Sequence, residues 1–209
     1  LIVAFLIGGF FVVTYATGYT VDIRSRNIKS TGMMVIQTDN ADIEVNSQTV
    51  GHDDVTLRGL EPGQYQIKIS KAGYHDWFKT VELDAGEAEI ISDAILFYTD
   101  ITPKEYPLTD DEFFSKMADT DALTAINGEI HQNGNFVTRL ANEIKGVCWY
   151  SDRRYIAYSY DKKLKIIQID GTNEIELLDK DSDKPVVFLN SGRFVIYQHE
   201  GKTYKAEIR

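Results

Sequence analysis

The chain opens on an uninterrupted apolar stretch. No charged residue occurs before Asp22, and a helix rising about 1.5 Å per residue over residues 1–21 spans roughly 30 Å, the thickness of a bilayer's hydrocarbon core. Phe5, Phe10, Phe11 and the aliphatics between them point in all directions around such a helix, leaving no polar face for water. Tyr15 and Tyr19 fall near its far end, where amphipathic rings favour the headgroup level. The pattern predicts a transmembrane helix over residues 1–21. A buried core helix is one rival reading; a cleaved signal peptide with Ala16-Thr17-Gly18 as its small-residue site is another. Arg24, Arg26 and Lys29 set against Asp22 would place the carboxyl side in the cytoplasm by the positive-inside rule, and a more basic flank ahead of Leu1 would reverse this.

Residues 22–31 are polar and read as a stalk. From Gly32 to about Tyr98 the hydrophobic period becomes two. Ile43 and Val45 alternate with Asp42 and Glu44, Val55 and Leu57 with Thr56 and Arg58, and Tyr65, Ile67 and Ile69 with Gln64, Gln66 and Lys68. Each run puts one apolar and one polar face on a strand. Gly51, Glu61-Pro62-Gly63, Ala72-Gly73 and Asp84-Ala85-Gly86 separate the runs, so residues 32–98 predict a small β-sandwich. Thr109-Asp110-Asp111-Glu112 ahead of Phe113 and Phe114 is a capping box, predicting a short helix from Asp110 to Ala118 within a linker over residues 99–124. Turn pairs then return at Asn127-Gly128, Asn133-Gly134, Asp161-Lys162, Asp170-Gly171, Ser191-Gly192 and Glu200-Gly201.

The last region contains an internal echo. At one constant offset Trp149 falls on Phe188, Ser151 on Asn190, Arg154 on Arg193, Tyr155 on Phe194, Tyr158 on Tyr197, Lys163 on Lys202 and Ile169 on Ile208. A period of about forty residues with strand-turn-strand content is that of propeller blades. A ring needs roughly four to eight blades, and residues 125–209 hold about two, so the expectation is an incomplete set belonging to a longer chain or a ring completed by a partner. A sandwich that only mimics blades is the third possibility.

Two resemblances follow from these residues. Leu60-Glu61-Pro62-Gly63-Gln64-Tyr65-Gln66-Ile67-Lys68-Ile69-Ser70-Lys71-Ala72-Gly73-Tyr74, with Trp77 beyond, resembles the second half of a PEGA domain; the first half departs from it, with Thr38-Asp39-Asn40-Ala41 where the name motif would stand. The resemblance implies a small immunoglobulin-like or transthyretin-like sandwich of bacterial and archaeal surface proteins, without catalysis. The stretch around Trp149-Tyr150-Ser151-Asp152-Arg153 resembles the blade motif of TolB-like and WD40-like propellers, with Tyr150 and Arg153 in place of the usual proline and glycine. The expected fold is therefore mainly β: an N-terminal transmembrane helix, a PEGA-like β-sandwich, then partial β-propeller-like antiparallel repeats.

Chemistry is sparse. A net charge of -10 argues against nucleic acid. Cys148 is the single cysteine, which excludes an internal disulfide. No nucleophile elbow, zincin helix, phosphate loop or C-x-x-C pair occurs, so no catalytic residue and no cofactor are assigned. His52, His75, His131 and His199 stand singly in the sequence; Tyr65, Tyr74, Trp77 and Phe78 read as core and edge packing rather than a sugar platform. The one metal candidate is Asp179, Asp181 and Asp183, spaced like the start of a calcium loop, but Lys184 replaces the glycine and no glutamate stands at the twelfth position. A solvated acidic turn is the better reading. The function expected is a non-catalytic, membrane-anchored cell-envelope protein, its folded domains extracytoplasmic. It would hold membrane lipid through residues 1–21 and a protein or surface-polymer partner through its β domains. The alternatives are a subunit of a larger membrane complex and the N-terminal part of a propeller-gated hydrolase.

Overall fold

The computed structural model describes Phe5, Gly9 and residues 19–22, 27–182 and 184–209. Phe5 and Gly9 are helical, and Phe5 is exposed; the rest of the expected span up to residue 18 lies outside the described residues. Among the described residues no helix is long and apolar enough to cross a membrane. Tyr19–Val21, expected in the helix, instead begin strand β1 (Tyr19–Asp22), which pairs with β2 (Asn27–Ser30). The polar stalk thus contains half of a hairpin.

The chain divides into two compact units, residues 1–71 with 76–95 and residues 72–75 with 96–209. In the first, β3 (Gly32–Ile36) lies between β6 (Val55–Leu60), antiparallel, and β9 (Ala88–Ile91), parallel. A four-stranded sheet runs β5 (Gln48–His52), β4 (Asp42–Val45), β7 (Gly63–Ser70) and β8 (Trp77–Leu83). The period-two reading becomes burial: Ile43, Val45, Ile67, Ile69, Trp77, Val81 and Leu83 point inward from this sheet, and Met34, Ile36 and Ile91 from the other. Burying each such side chain contributes about 1.5–3 kcal/mol. The sheets face one another closely, since a Cβ added to Gly32 would meet the Leu83 side chain at 2.7 Å. Trp77 is fully buried, whereas the neighbouring Phe78, read as packing, stands 54% exposed on the outer face.

The second unit is also β-rich. A three-stranded meander of β11 (Leu123–Ile126), β12 (Glu129–Gln132) and β13 (Asn135–Arg139) is followed by a four-stranded one of β14 (Lys145–Trp149), β15 (Tyr155–Tyr160), β16 (Lys163–Gln168) and β17 (Ile175–Leu178). Ile130 and Val137 from the former pack with Trp149, Ile156, Tyr158 and Ile167 from the latter in one core. The third sheet contains β18 (Val187–Leu189), β19 (Phe194–His199) and β20 (Lys202–Glu207). Tyr150, ahead of β15, meets it through Phe188 at 4.9 Å between ring centres. β15 is buried on both faces: Ile156 and Tyr158 face the β11–β13 core, while Tyr155 meets Phe97 and Tyr150 and Ser159 Oγ accepts from Ser182 N–H at 2.9 Å.

The sequence echo is a structural repeat: β15 and β16 coincide with β19 and β20 at the same offset, and the bond from Ile169 N–H to Arg154 O (3.0 Å) recurs from Ile208 to Arg193 (2.9 Å). The fourth place in the second copy is taken by β10 (Lys104–Glu105), from the expected linker. It pairs with Lys205 and Tyr204, the equivalents of the β16 residues Ile166 and Lys165 that β17 holds. The ion pair between Lys163 and Glu176 (2.8 Å) recurs as Lys202 with Glu105. No closed propeller ring is formed among the described residues; what is observed is a set of antiparallel sheets. Helix α1 runs Asp110–Lys116, slightly shorter than expected, with both halves of the capping box formed at Thr109 and Glu112. Its Phe113 packs on Val187 and Ile196.

Candidate functional site

The outer face of the β11–β13 sheet sets exposed apolar side chains beside an ion-paired carboxylate. Two tight turns set it. Asn127-Gly128 and Asn133-Gly134 have positive φ at both residues (52° and 77°, 50° and 80°), the type I′ geometry that joins strands by two residues and that asparagine and glycine tolerate. With these turns, Ile126 stands opposite Glu129 and Thr124 opposite His131. Across the next pair, Glu129 stands opposite Arg139 and His131 opposite Phe136, because the register shifts between Ile130 and His131. That bulge brings Arg139 rather than Thr138 beside Glu129. Two cross-strand rows result: Ile126, Glu129, Arg139 and Thr124, His131, Phe136.

The charged groups interlock. Arg139 Nε donates to Glu129 Oε1 at 2.6 Å, and His131 Nε2 lies 2.8 Å from Glu129 Oε2. The hydrogen bond with His131, and then the Arg139 guanidinium, hold the Glu129 carboxyl below the usual carboxylate range. The His131 ring meets Phe136 edge-on at 5.9 Å. Ile126 and Phe136 are 61% and 59% exposed, so two apolar side chains in solvent flank the Glu129, His131 and Arg139 cluster. Thr124, Ile126, Asn127, Glu129, His131 and Gly134 line a hollow of about 370 Å³. Such a surface can bind and orient; its polar atoms are donors and acceptors already placed by their own ion pair.

The residues singled out from sequence lie elsewhere, except His131. His52 Nδ1 is 2.9 Å from Asp42 Oδ1 and its Nε2 3.0 Å from Asn40 Oδ1, fastening the end of β5 to the start of β4 and the residues just ahead of it. His75 donates its backbone N–H to Phe97 O at 2.8 Å. His199 Nδ1 lies 3.1 Å from the Asp181 carbonyl oxygen and 3.2 Å from Asp181 Oδ1. The calcium candidate is not gathered: Asp181 faces His199, Asp179 is exposed at 3.7 Å from Lys163, and Asp183 lies outside the described residues. Among the described residues no group of three His, Cys, Asp or Glu side chains could hold a metal. Tyr65 donates to Glu61 O at 2.7 Å, fastening its turn. Tyr74 bridges Tyr98 with ring centres 4.6 Å apart in the second unit.

Sequence reasoning passed over Glu129, Arg139, Ile126 and Phe136. The available signal was the alternation of Thr124 with Ile126 and of Glu129 with His131 around two Asn-Gly turns; the bulge that recruits Arg139 has none. No curated protein matches the chain in sequence. Residues 31–92 match the PEGA domain family, and the chain therefore carries a PEGA domain over those residues.

Proposed function

We propose that this chain is a non-catalytic, membrane-tethered binding or scaffolding protein of the cell envelope, its β units on the extracytoplasmic side. The observation that carries binding is the outer face of β11–β13, where Ile126 and Phe136 stand in solvent around an ion-paired Glu129. Exposed apolar side chains grouped beside ordered polar ones support reading this face as a recognition surface. The tether is supported by the uncharged residues 1–21, and the envelope setting by the PEGA match. The second unit is read as propeller-type blades, supported by the repeated strands and by β10 standing in the fourth place of the second copy.

Cell fractionation tests the reading. The full chain is expected to sediment with membranes, resist carbonate and leave them in detergent, while a version starting at Asp22 stays in the supernatant. Protease added to intact cells should degrade the folded units. A full chain that is freely soluble, or protected until lysis, overturns the proposal.

A further inference from the structure

We infer that the hollow on the outer face of β11–β13 is a carbohydrate subsite that takes a neutral, polyhydroxylated ring. The inference rests on the binding reading above for its biological setting and names the ligand class of that site. The hollow, about 370 Å³, falls within the range of roughly 300–1,000 Å³ that small-ligand sites occupy. Its charge is balanced internally: each oxygen of Glu129 is met, Oε1 by Arg139 and Oε2 by His131. A metal cation would have to displace the guanidinium. A phosphate would meet a carboxylate whose charge the arginine already offsets.

Hydroxyl groups face neither obstacle. An ionised carboxylate has about four acceptor sites, so Glu129 can still accept from a ligand O–H, and a bond to a charged group is about twice as strong as a neutral one. Asn127 and Thr124 add an amide and a hydroxyl on the same wall. The apolar part fits as well. Ile126 and Phe136 border the polar groups at 61% and 59% exposure, and Phe136 meets His131 edge-on rather than stacked. A pyranose has this same division, hydroxyls at its rim and C–H bonds on its face. A peptide would draw instead on backbone pairing along a strand edge.

The test is an array of neutral and acidic oligosaccharides probed with the detergent-solubilised full chain. Retention of neutral glycans is expected, with Glu129→Gln and Phe136→Ala each weakening it at least about tenfold and Asp179→Asn leaving it unchanged. Phe136 is exposed and Glu129→Gln keeps the side-chain size, so melting temperatures should stay near wild type. Should either variant fail to fold, the His131 ring resonances of the wild-type chain, shifting on titration with the retained glycan, give the same answer. Retention of acidic glycans alone, no retention, binding indifferent to both variants, unmoved His131 resonances, or a protein partner that competes for Phe136 in place of glycans overturns the assignment. Membrane association with no glycan binding sinks this inference alone. Glycan binding by a chain found free of membranes sinks the tether and leaves the subsite standing.

Discussion

Gly192 shows how one residue couples the two copies of the repeat. Its φ is 88°, and an added Cβ would fall 2.2 Å from the Tyr150 ring, whose hydroxyl donates to the Gly192 carbonyl at 3.1 Å. At the equivalent place in the first copy stands Arg153, also at positive φ (57°), so the turn by itself accepts a side chain. The glycine is needed because Tyr150 lies against it. Gly192→Ala is expected to lower unfolding free energy by more than about 1 kcal/mol through strain and overpacking, read as a lower urea midpoint at unchanged m-value. Tyr150, a departure from the blade motif, was legible in sequence; its partner forty-two positions away in the chain was not.

Among the elements, α1 is one whose start could be read from local chemistry. Thr109 Oγ1 accepts from Glu112 N–H at 3.3 Å and Glu112 Oε2 accepts from Thr109 N–H at 3.0 Å, both arising within four consecutive residues. Thr109→Ala should cost about 1 kcal/mol, measured by chemical denaturation. Glu112 is held below its usual range by the Thr109 backbone bond and then its hydroxyl. This stabilisation is present above the free carboxylate's range and fades as pH falls through the lowered value, so the Thr109→Ala defect should shrink in acid. β10 is the opposite case. Its two residues carry no pattern, and only the free edge of β20, with Tyr106 N–H donating to Thr203 O at 2.9 Å, makes them a strand. Glu105→Ala should matter little, since an exposed ion pair contributes little. Tyr106→Pro, which deletes that donor, should release amide protection along the outer edge of β20.

For the molecule as a whole, the two tryptophans report on separate units, Trp77 in the first and Trp149 in the second. In the second unit burial pushes Cys148, Tyr150 and Tyr197 each up to about 12. An acid whose folded pKa is raised binds its proton more tightly than the unfolded chain does. Its contribution is therefore complete below the unfolded value and lost as pH climbs through the folded one. The window opens near 9 for the thiol and 10 for the phenols and extends to about 12. In the first unit the raised groups, Tyr65 and Lys68, are only half-buried, against the nearly complete burial of Cys148, Tyr150 and Tyr197. Raising pH from 9 to 12 should consequently lower the melting temperature seen in a Trp77→Phe variant, which retains Trp149, well before that seen in Trp149→Phe. Equal shifts would show that the alkaline sensitivity does not reside in the second unit.

The amino-acid sequence alone determined what local pattern and self-similarity carry: the alternation that buries Ile67 and Ile69, the Asn-Gly and Asp161-Lys162 turns, the Thr109 capping box, the PEGA-like run up to Tyr74, and the echo that became β15–β16 and β19–β20. These features arise from side-chain direction and local dihedral preference, which neighbours in the chain are enough to set. Tertiary structure alone decided that Lys104–Glu105 occupy the place of a fourth strand, that Tyr74 pairs with Tyr98, and that a bulge opposite Ile130 carries Arg139 to Glu129. Each of these depends on which edge lies free and in what register a distant strand meets it. A backbone N–H or C=O on a sheet edge accepts any partner that the packed core brings within reach, whatever its side chain.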